Sequence, residues 1–176
     1  MKLTKLIVSI ICYTCLTSCN NDFSSQLSAI SELSESYASL DEKVLEIDLK
    51  ESAEQLKKYE TTIEDFKLLL NKDKRPSKET TSFINEFRTI KKTFKKVPKT
   101  VSYLKSNIKE NTAQLKNLEI DINKNVFNHE QLSKIIADEK KVFQNLDQKH
   151  TKLTLKIKNQ LEKFDSLLIL STNMKF

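Results

Sequence analysis

The stretch FINEFRTIKKTFKKVPKTVSYLKSNIKENTAQLKNLEIDI (residues 83–122) decides the fold. Apolar side chains recur in it at alternating steps of three and four residues. This spacing places them in a narrow stripe along one side of a helix, which another helix must cover. The stripe, here called the seam, consists of Phe83, Phe87, Ile90, Phe94, Val97, Val101, Leu104, Ile108, Asn111, Leu115, Leu118 and Ile122.

Pro98 lies inside this seam. A proline in a helix interior removes one hydrogen bond and costs about 3 kcal/mol, so it bends or interrupts the helix. Because the seam keeps its phase on both sides, we expect a kink between collinear segments. The alternative is a break into two helices.

The same alternation appears on both sides of this stretch. It begins with Ile30, Leu33, Tyr37, Leu40, Val44 and Ile47, shifts phase through Leu45, Leu49, Ala53 and Leu56, and resumes with Tyr59, Ile63, Phe66 and Leu70. We expect one helix with local unwinding near residue 50. After a turn near residues 125–128, the seam returns at Leu132, Ile136, Glu139, Phe143, Leu146, His150, Leu153, Ile157, Gln160, Phe164 and Leu167.

The predicted fold class is all-α. Three helices of nearly equal length, about 26–71, 78–125 and 129–171, with short links favour an elongated antiparallel three-helix bundle or coiled coil over residues 26–172, followed by a tail at 173–176. The distribution of charge supports packing of the first helix against the second. Residues 20–70 hold twelve acidic and five basic side chains, a net of −7, whereas residues 71–110 hold four acidic and twelve basic ones, a net of +8.

Composition argues against most catalytic and cofactor sites. The chain has no glycine, which disfavours tight turns and phosphate-binding loops. His129 and His150 stand 21 residues apart outside any zinc motif, and no nucleophile lies in a motif with a base. His150 occupies a seam position, where a packing role is favoured over a ligand role. We therefore predict no enzyme activity, no cofactor and no metal.

The N-terminus has the form of an export signal. Lys2 and Lys5 precede an apolar run at residues 6–16, which is too short to span a bilayer as a permanent helix. The residues that follow, Leu16-Thr17-Ser18-Cys19, resemble the lipobox of bacterial lipoproteins.

That resemblance implies a signal peptide at residues 1–18, cleavage before Cys19 and acyl chains on Cys19. Residues 19–25 would then form the lipidated cysteine and a short tether. An ordinary signal peptide cut nearby and a permanent N-terminal anchor remain as alternatives. Cys12 and Cys15 complete a metal-like spacing with Cys19, but both lie in the export segment and would leave with it.

Together these features predict a lipid-anchored, non-enzymatic interaction or ligand-presenting protein of the bacterial envelope, at the outer membrane or cell surface. Its candidate binding tip is the turn between the first two helices, which would bind a protein or an anionic ligand. The basic residues of this tip are Lys72, Lys74, Arg75 and Lys78.

A structural accessory that self-associates or packs into an envelope complex is the alternative function, and a hydrolase is the least supported one. A second basic run, which favours a solvated or intramolecular face over an anionic ligand, contains Arg88, Lys91, Lys92, Lys95, Lys96 and Lys99. The basic excess is too small and too evenly mixed for nucleic acid binding to be expected.

Overall fold

The computed structural model describes residues 22–70 and 78–173, and this part of the chain contains helices and no strand. The all-α class is confirmed. The helices are α1 (Ser24–Leu45), α2 (Leu49–Leu70), α3 (Lys78–Phe94), α4 (Val97–Asn123) and α5 (His129–Asn173). The predicted signal peptide, Cys19, most of the predicted tip and the last three residues of the predicted tail lie outside the described residues.

The prediction of one helix over about 26–71 is wrong, because this arm of the chain is broken at residues 46–48. Asp48 begins the second helix as its N-cap. Its Oδ1 accepts hydrogen bonds from the backbone N–H groups of Lys50 (2.7 Å) and Glu51 (2.9 Å). Such caps satisfy amide donors that the first helical turn leaves unpaired.

Of the four residues predicted to carry the seam across this region, only Leu56 is partly buried against the core. Leu45 is 60% exposed, Leu49 is 37% exposed and Ala53 is exposed, whereas Ser52 is only 5% exposed. A seam continuing from Val44 would reach position 51 after seven residues. The buried side is therefore displaced by one residue, which corresponds to about 100° of rotation on a helix. The interruption of the helix at residues 46–48 allows the buried side of α2 to face the core in spite of this rotation.

The middle arm is divided at Lys95 and Lys96, so the alternative of two helices describes it better than a kink. The interruption lies just before the proline, and Pro98 occupies the first turn of α4. A proline is tolerated there because the missing N–H would have no helical acceptor. The seam nevertheless keeps its phase, since Phe94, Val97 and Val101 are all buried.

A single apolar cluster runs through the described helices along the predicted seams. Helix α1 packs against α4 and α5, and α4 also packs against α5. In the other half of the molecule, α3 packs against both α2 and α5. Among the described residues, no Cα atom of α2 lies within 8 Å of one in α5. In this half, α2 and α5 meet through side chains instead, since the rings of Tyr59 and Phe164 lie 4.1 Å apart.

The body begins earlier than the predicted tether allows. Phe23 is 5% exposed and belongs to the apolar cluster, with its ring centroid 4.5 Å from that of His129. Helix α1 then starts at Ser24, so residues 23–25 are part of the folded body. The predicted tether, which extended to residue 25, therefore ends before Phe23.

Candidate binding cavity beside the break in the first arm

The end of α1 is held to α5 by His150. In a continuous helix, the N–H of Ile47 would donate to the carbonyl oxygen of Lys43, four residues earlier. It donates instead to the carbonyl oxygen of Val44, three residues earlier, at 3.4 Å. The carbonyl of Lys43 therefore lacks its usual helical donor. The Nε2 atom of His150 lies 3.3 Å from that oxygen. His150 is buried, so it serves as a packing residue that also satisfies a helix end.

A cavity of about 540 Å³ opens beside this break, between the first arm and α5. Its size falls within the usual range for small-molecule sites. The break supplies part of its wall, and one face of α5 supplies the rest. The lining residues are Lys43, Glu46, Ile47, Asp48, Glu51, Ser52, His150, Thr154, Ile157, Lys158, Leu161, Glu162 and Asp165.

The cavity is acidic. Its lining holds five carboxylates and two lysines, a net charge of −3 at neutral pH. The ion pairs of the described residues join other groups, so no lysine or arginine neutralises these carboxylates within 4 Å. The site therefore combines uncompensated negative charge with apolar wall contributed by Ile47, Ile157 and Leu161.

Tyr59 brings a buried polar group into the apolar core, although it does not line the cavity. Its ring is fully buried, 4.1 Å from that of Phe164 in an edge-to-face arrangement and 5.1 Å from that of Phe94. Its hydroxyl has no hydrogen-bond partner among the described residues. Burial raises the pKa of Tyr59, and the charges of Asp165 and Glu51 raise this pKa further. Both acids line the cavity.

Of the predicted tip, only Lys78 lies within the described residues, where it is exposed at the start of α3. Lys72, Lys74 and Arg75 lie outside them. In the second basic run, Lys91 pairs with Glu60 of α2 at 3.0 Å. This is the intramolecular use of a basic side chain that the charge pattern favoured, and at such exposure it is worth about 0 to 1 kcal/mol.

Polar residues at seam positions are only partly satisfied. Asn111 donates its side-chain N–H to the carbonyl of Asn107 at 2.7 Å. Glu139 accepts a hydrogen bond from Gln114 through Oε1. Its Oε2 is buried and has no partner among the described residues, and the same holds for Oε1 of Gln160. These groups resemble register-fixing residues of helical bundles rather than a catalytic set.

Two features are absent from the described residues, a metal site and a membrane-spanning helix. These residues contain no group of three or more His, Cys, Asp or Glu side chains arranged to hold a metal ion. In the same part of the chain, no helix has the length and apolar character required to span a bilayer.

Sequence reasoning missed the cavity because it followed the seam through residues 45–56 as though the helix were continuous. One signal was available. Asp48 and Glu51 have the spacing of a helix-start motif, in which a capping side chain is followed three residues later by Glu. This spacing falls where the seam changes phase. The two signals together indicate that a new helix starts there.

Comparisons of this chain with protein-family models, with curated proteins and with solved structures gave no match.

Proposed function

We propose that the chain is a lipid-anchored, non-enzymatic interaction protein of the bacterial envelope, at the outer membrane or cell surface, held to the bilayer by acyl chains on Cys19. The motif Leu16-Thr17-Ser18-Cys19 supports the lipid anchor, and the burial of Phe23 against His129 limits the distance between that anchor and the folded body. Only residues 20–22 separate Cys19 from Phe23, and they span roughly 10 Å when extended. A lipidated Cys19 would therefore hold this end of the body close to the bilayer.

The helices would form an elongated antiparallel three-helix bundle in this proposal. Three pairings support it: Gln26 with His129 at one end, Lys43 with His150 midway, and Phe66 with Phe83 at the other end. The 45 residues of α5 extend roughly 68 Å at 1.5 Å per residue. The tip with Lys72, Lys74, Arg75 and Lys78 would then stand far from the membrane, where a protein or anionic ligand can reach it.

Acylation can be tested with a matched pair of cysteine variants. The full-length chain is expressed in a bacterial host that processes lipoproteins and is labelled with an alkyne-bearing palmitate analogue. Label should appear on the wild-type chain and on Cys15→Ser, but not on Cys19→Ser. Equal labelling of Cys19→Ser would refute the lipid anchor.

The location of the body requires a separate measurement, protease digestion of intact cells. Digestion of the mature chain without permeabilisation supports the cell surface. Protection until the outer membrane is opened supports its inner leaflet, whereas co-fractionation with the inner membrane would contradict the proposed location.

The candidate tip can be tested by replacing its four basic residues with Gln together. Capture of envelope proteins or of anionic polysaccharide should then fall at least about tenfold, if an ion-paired contact carries the binding. A control variant changes Lys116, Lys124, Lys134 and Lys140, which lie toward the other end of the helices. Unchanged capture by the tip variant would remove the tip from the proposal.

Self-association is a second candidate function, supported by exposed apolar side chains. Leu45, Leu155 and Leu68 are each more than half exposed. Sedimentation of residues 20–176 distinguishes the two roles, because a monomer favours the projecting binder and a stable oligomer favours a structural accessory. Replacement of these three leucines by Gln should dissociate such an oligomer.

A further inference from the structure

A second cleft, of about 700 Å³, runs between α1 and α4 and opens to solvent, since Ala38 and Ala113 on its two walls are exposed. The buried side chains of Tyr37 and Ile108 give it an apolar floor. We infer that this cleft is the contact surface of a homodimer, in which α1 of each copy packs against α4 of the other. The inference rests on the self-association role named above and deepens it by giving it a surface and a symmetry.

The two walls of the cleft carry opposite charge. On α1, Asp41 lines the cleft. Glu35 and Glu42 are exposed on the same side of this helix, three residues before and four after Ala38. On α4, the charged lining residues are Lys105, Lys109, Lys116 and Glu119. The chain therefore has an acidic edge on α1, with Glu35, Asp41 and Glu42, and a basic edge on α4.

These charges are available to a second copy. The ion pairs of the described residues join other side chains, so none of the charges on either edge is paired within 4 Å there. In a two-fold dimer the acidic edge of each copy meets the basic edge of the other, and every such attraction occurs twice. Charge complementarity of this kind selects the partner and fixes its register.

The lipid anchor sets the direction of the two-fold axis. Two copies held to one bilayer through the same end stand parallel, with the axis along the bundle. In the proposed antiparallel bundle, this axis places α1 of one copy opposite α4 of the other at the same height above the membrane. An axis across the bundle would instead pair acidic α1 with acidic α1 and direct the two anchored ends apart.

The apolar character and the size of this surface also suit a second copy. Leu45 lines the cleft and is 60% exposed, and Ile120, seven residues after Ala113 on the same side of α4, is 43% exposed. Helix α1 has 22 residues, so two helices about 33 Å long and about 10 Å wide offer roughly 650 Å² per copy. The total of roughly 1,300 Å² exceeds the ~1,000 Å² expected of a specific interface.

Crosslinking between two differently tagged chains tests the pairing. One full-length chain carries Ala38→Cys and the other Ala113→Cys; the two are co-expressed in a host that processes lipoproteins, extracted in non-ionic detergent and treated with a short bis-maleimide. We expect a product that joins residue 38 of one chain to residue 113 of the other. Mass spectrometry of the joined peptides identifies this product, so a reactive Cys19 does not confuse the result.

Three outcomes would overturn the inference. The first is absence of the 38–113 product at chain concentrations up to about 100 μM. The second is a stronger 38–38 product, which would mean that α1 packs against α1. The third is a dimer in sedimentation that gives no 38–113 product. That dimer would leave self-association intact and exclude only this surface, whereas a chain that stays monomeric in sedimentation would remove both.

Charge reversal identifies the groups responsible. Asp41→Lys with Glu42→Lys reverses the acidic edge, and Lys109→Glu with Lys116→Glu reverses the basic edge. Each variant alone should associate with itself at least about tenfold more weakly than wild type, because like charges then face each other at both symmetric contacts. A mixture of the two variants should associate within about threefold of wild type, since opposite edges meet again. Co-purification of two differently tagged copies over a dilution series measures these changes.

Glu64→Lys with Asp65→Lys is the matched control, since these acids are also adjacent and are exposed on α2 outside the cleft. This control should associate like wild type. Restored association in the mixture also excludes misfolding as the cause of the losses. Failure of the mixture to associate, or an equal loss in the control, would overturn the pairing of α1 with α4.

Discussion

Replacing Glu139 with Leu should stabilise the protein. Glu139 is 6% exposed on the seam of α5. Its Oε1 accepts a hydrogen bond from Gln114, and its Oε2 is buried with no partner in the described part of the chain. Its seam neighbours Ile136 and Leu146 are buried in the apolar cluster. A leucine at this position would extend that cluster, at the cost of one hydrogen bond to an exposed glutamine, which water can replace.

The magnitude follows from four contributions. Removing a buried unpartnered polar atom gains about 2 kcal/mol, and burying a leucine side chain gains about 2 kcal/mol. Losing the bond to Gln114 costs about 1 kcal/mol, and fitting a branched side chain costs about 1 kcal/mol. The free energy of unfolding should therefore rise by about 2 kcal/mol.

Urea unfolding followed by circular dichroism measures this change, with the midpoint increasing at an unchanged slope. Glu130→Leu, an exposed position on the same helix, is the control and should change stability by less than about 0.5 kcal/mol. A loss of stability in Glu139→Leu would refute the reasoning and would mean that the carboxylate is better satisfied than its contacts indicate.

The pH dependence provides a second readout of the same group. Burial raises the pKa of Glu139, and the charge of Asp138 raises it further. In the interval between the unfolded and folded pKa values, the native state binds more protons, so stability falls as pH rises. We expect the difference in stability between Glu139→Gln and wild type to grow as pH rises from about 4.5, the usual pKa, and to level off above the folded pKa. A difference that is independent of pH would contradict burial of the charge.

Three further predictions concern the first arm of the chain. Asp48→Ala should lower the free energy of unfolding by about 1 kcal/mol, because it removes the N-cap of α2. Urea unfolding measures this change, and Asp65→Ala, at an exposed position that caps no helix, is the control. Phe23→Ala should lower it by about 2 kcal/mol, less than the 3 to 5 of a central core position because the site lies at a chain end, and should speed proteolysis of the N-terminus. Deleting Asp48 should restore the three-four alternation from Val44 onward and so allow a continuous helix. The backbone amides of residues 46–50 should then exchange hydrogen more slowly than in wild type. Unchanged exchange would contradict the explanation that a one-residue displacement of the seam causes the break.

The sequence predicts the buried residues well because seam positions are set by local periodicity. In the third arm, Leu132, Ile136, Leu146 and Phe164 are buried as expected. Periodicity alone does not reveal whether a phase shift is absorbed by unwinding or by a break. That outcome depended on Asp48, whose side chain could cap a new helix and so offset the loss of helical hydrogen bonds.

The cavity could not be predicted from the sequence, because it depends on which helices approach one another. Its residues come from the first arm and from α5, between 98 and 122 positions apart in the chain. From the sequence, Ile157 lies on the seam and Leu161 lies next to it, so a partner helix is expected to cover both. Only the packing of the helices reveals that α2 does not approach them closely.

The two interruptions of the chain show that phase, rather than continuity, decides which neighbours a helix contacts. At Lys95–Lys96 the chain is interrupted, but the step from Phe94 to Val97 keeps the seam in register, and α3 and α4 both pack against α5. At residues 46–48 the seam moves by one residue, and the buried side turns by about 100°. Helix α2 then packs against α3 and loses the close approach to α5 that α1 has. The cavity beside the break thus lies where the buried side of the first arm changes by one residue.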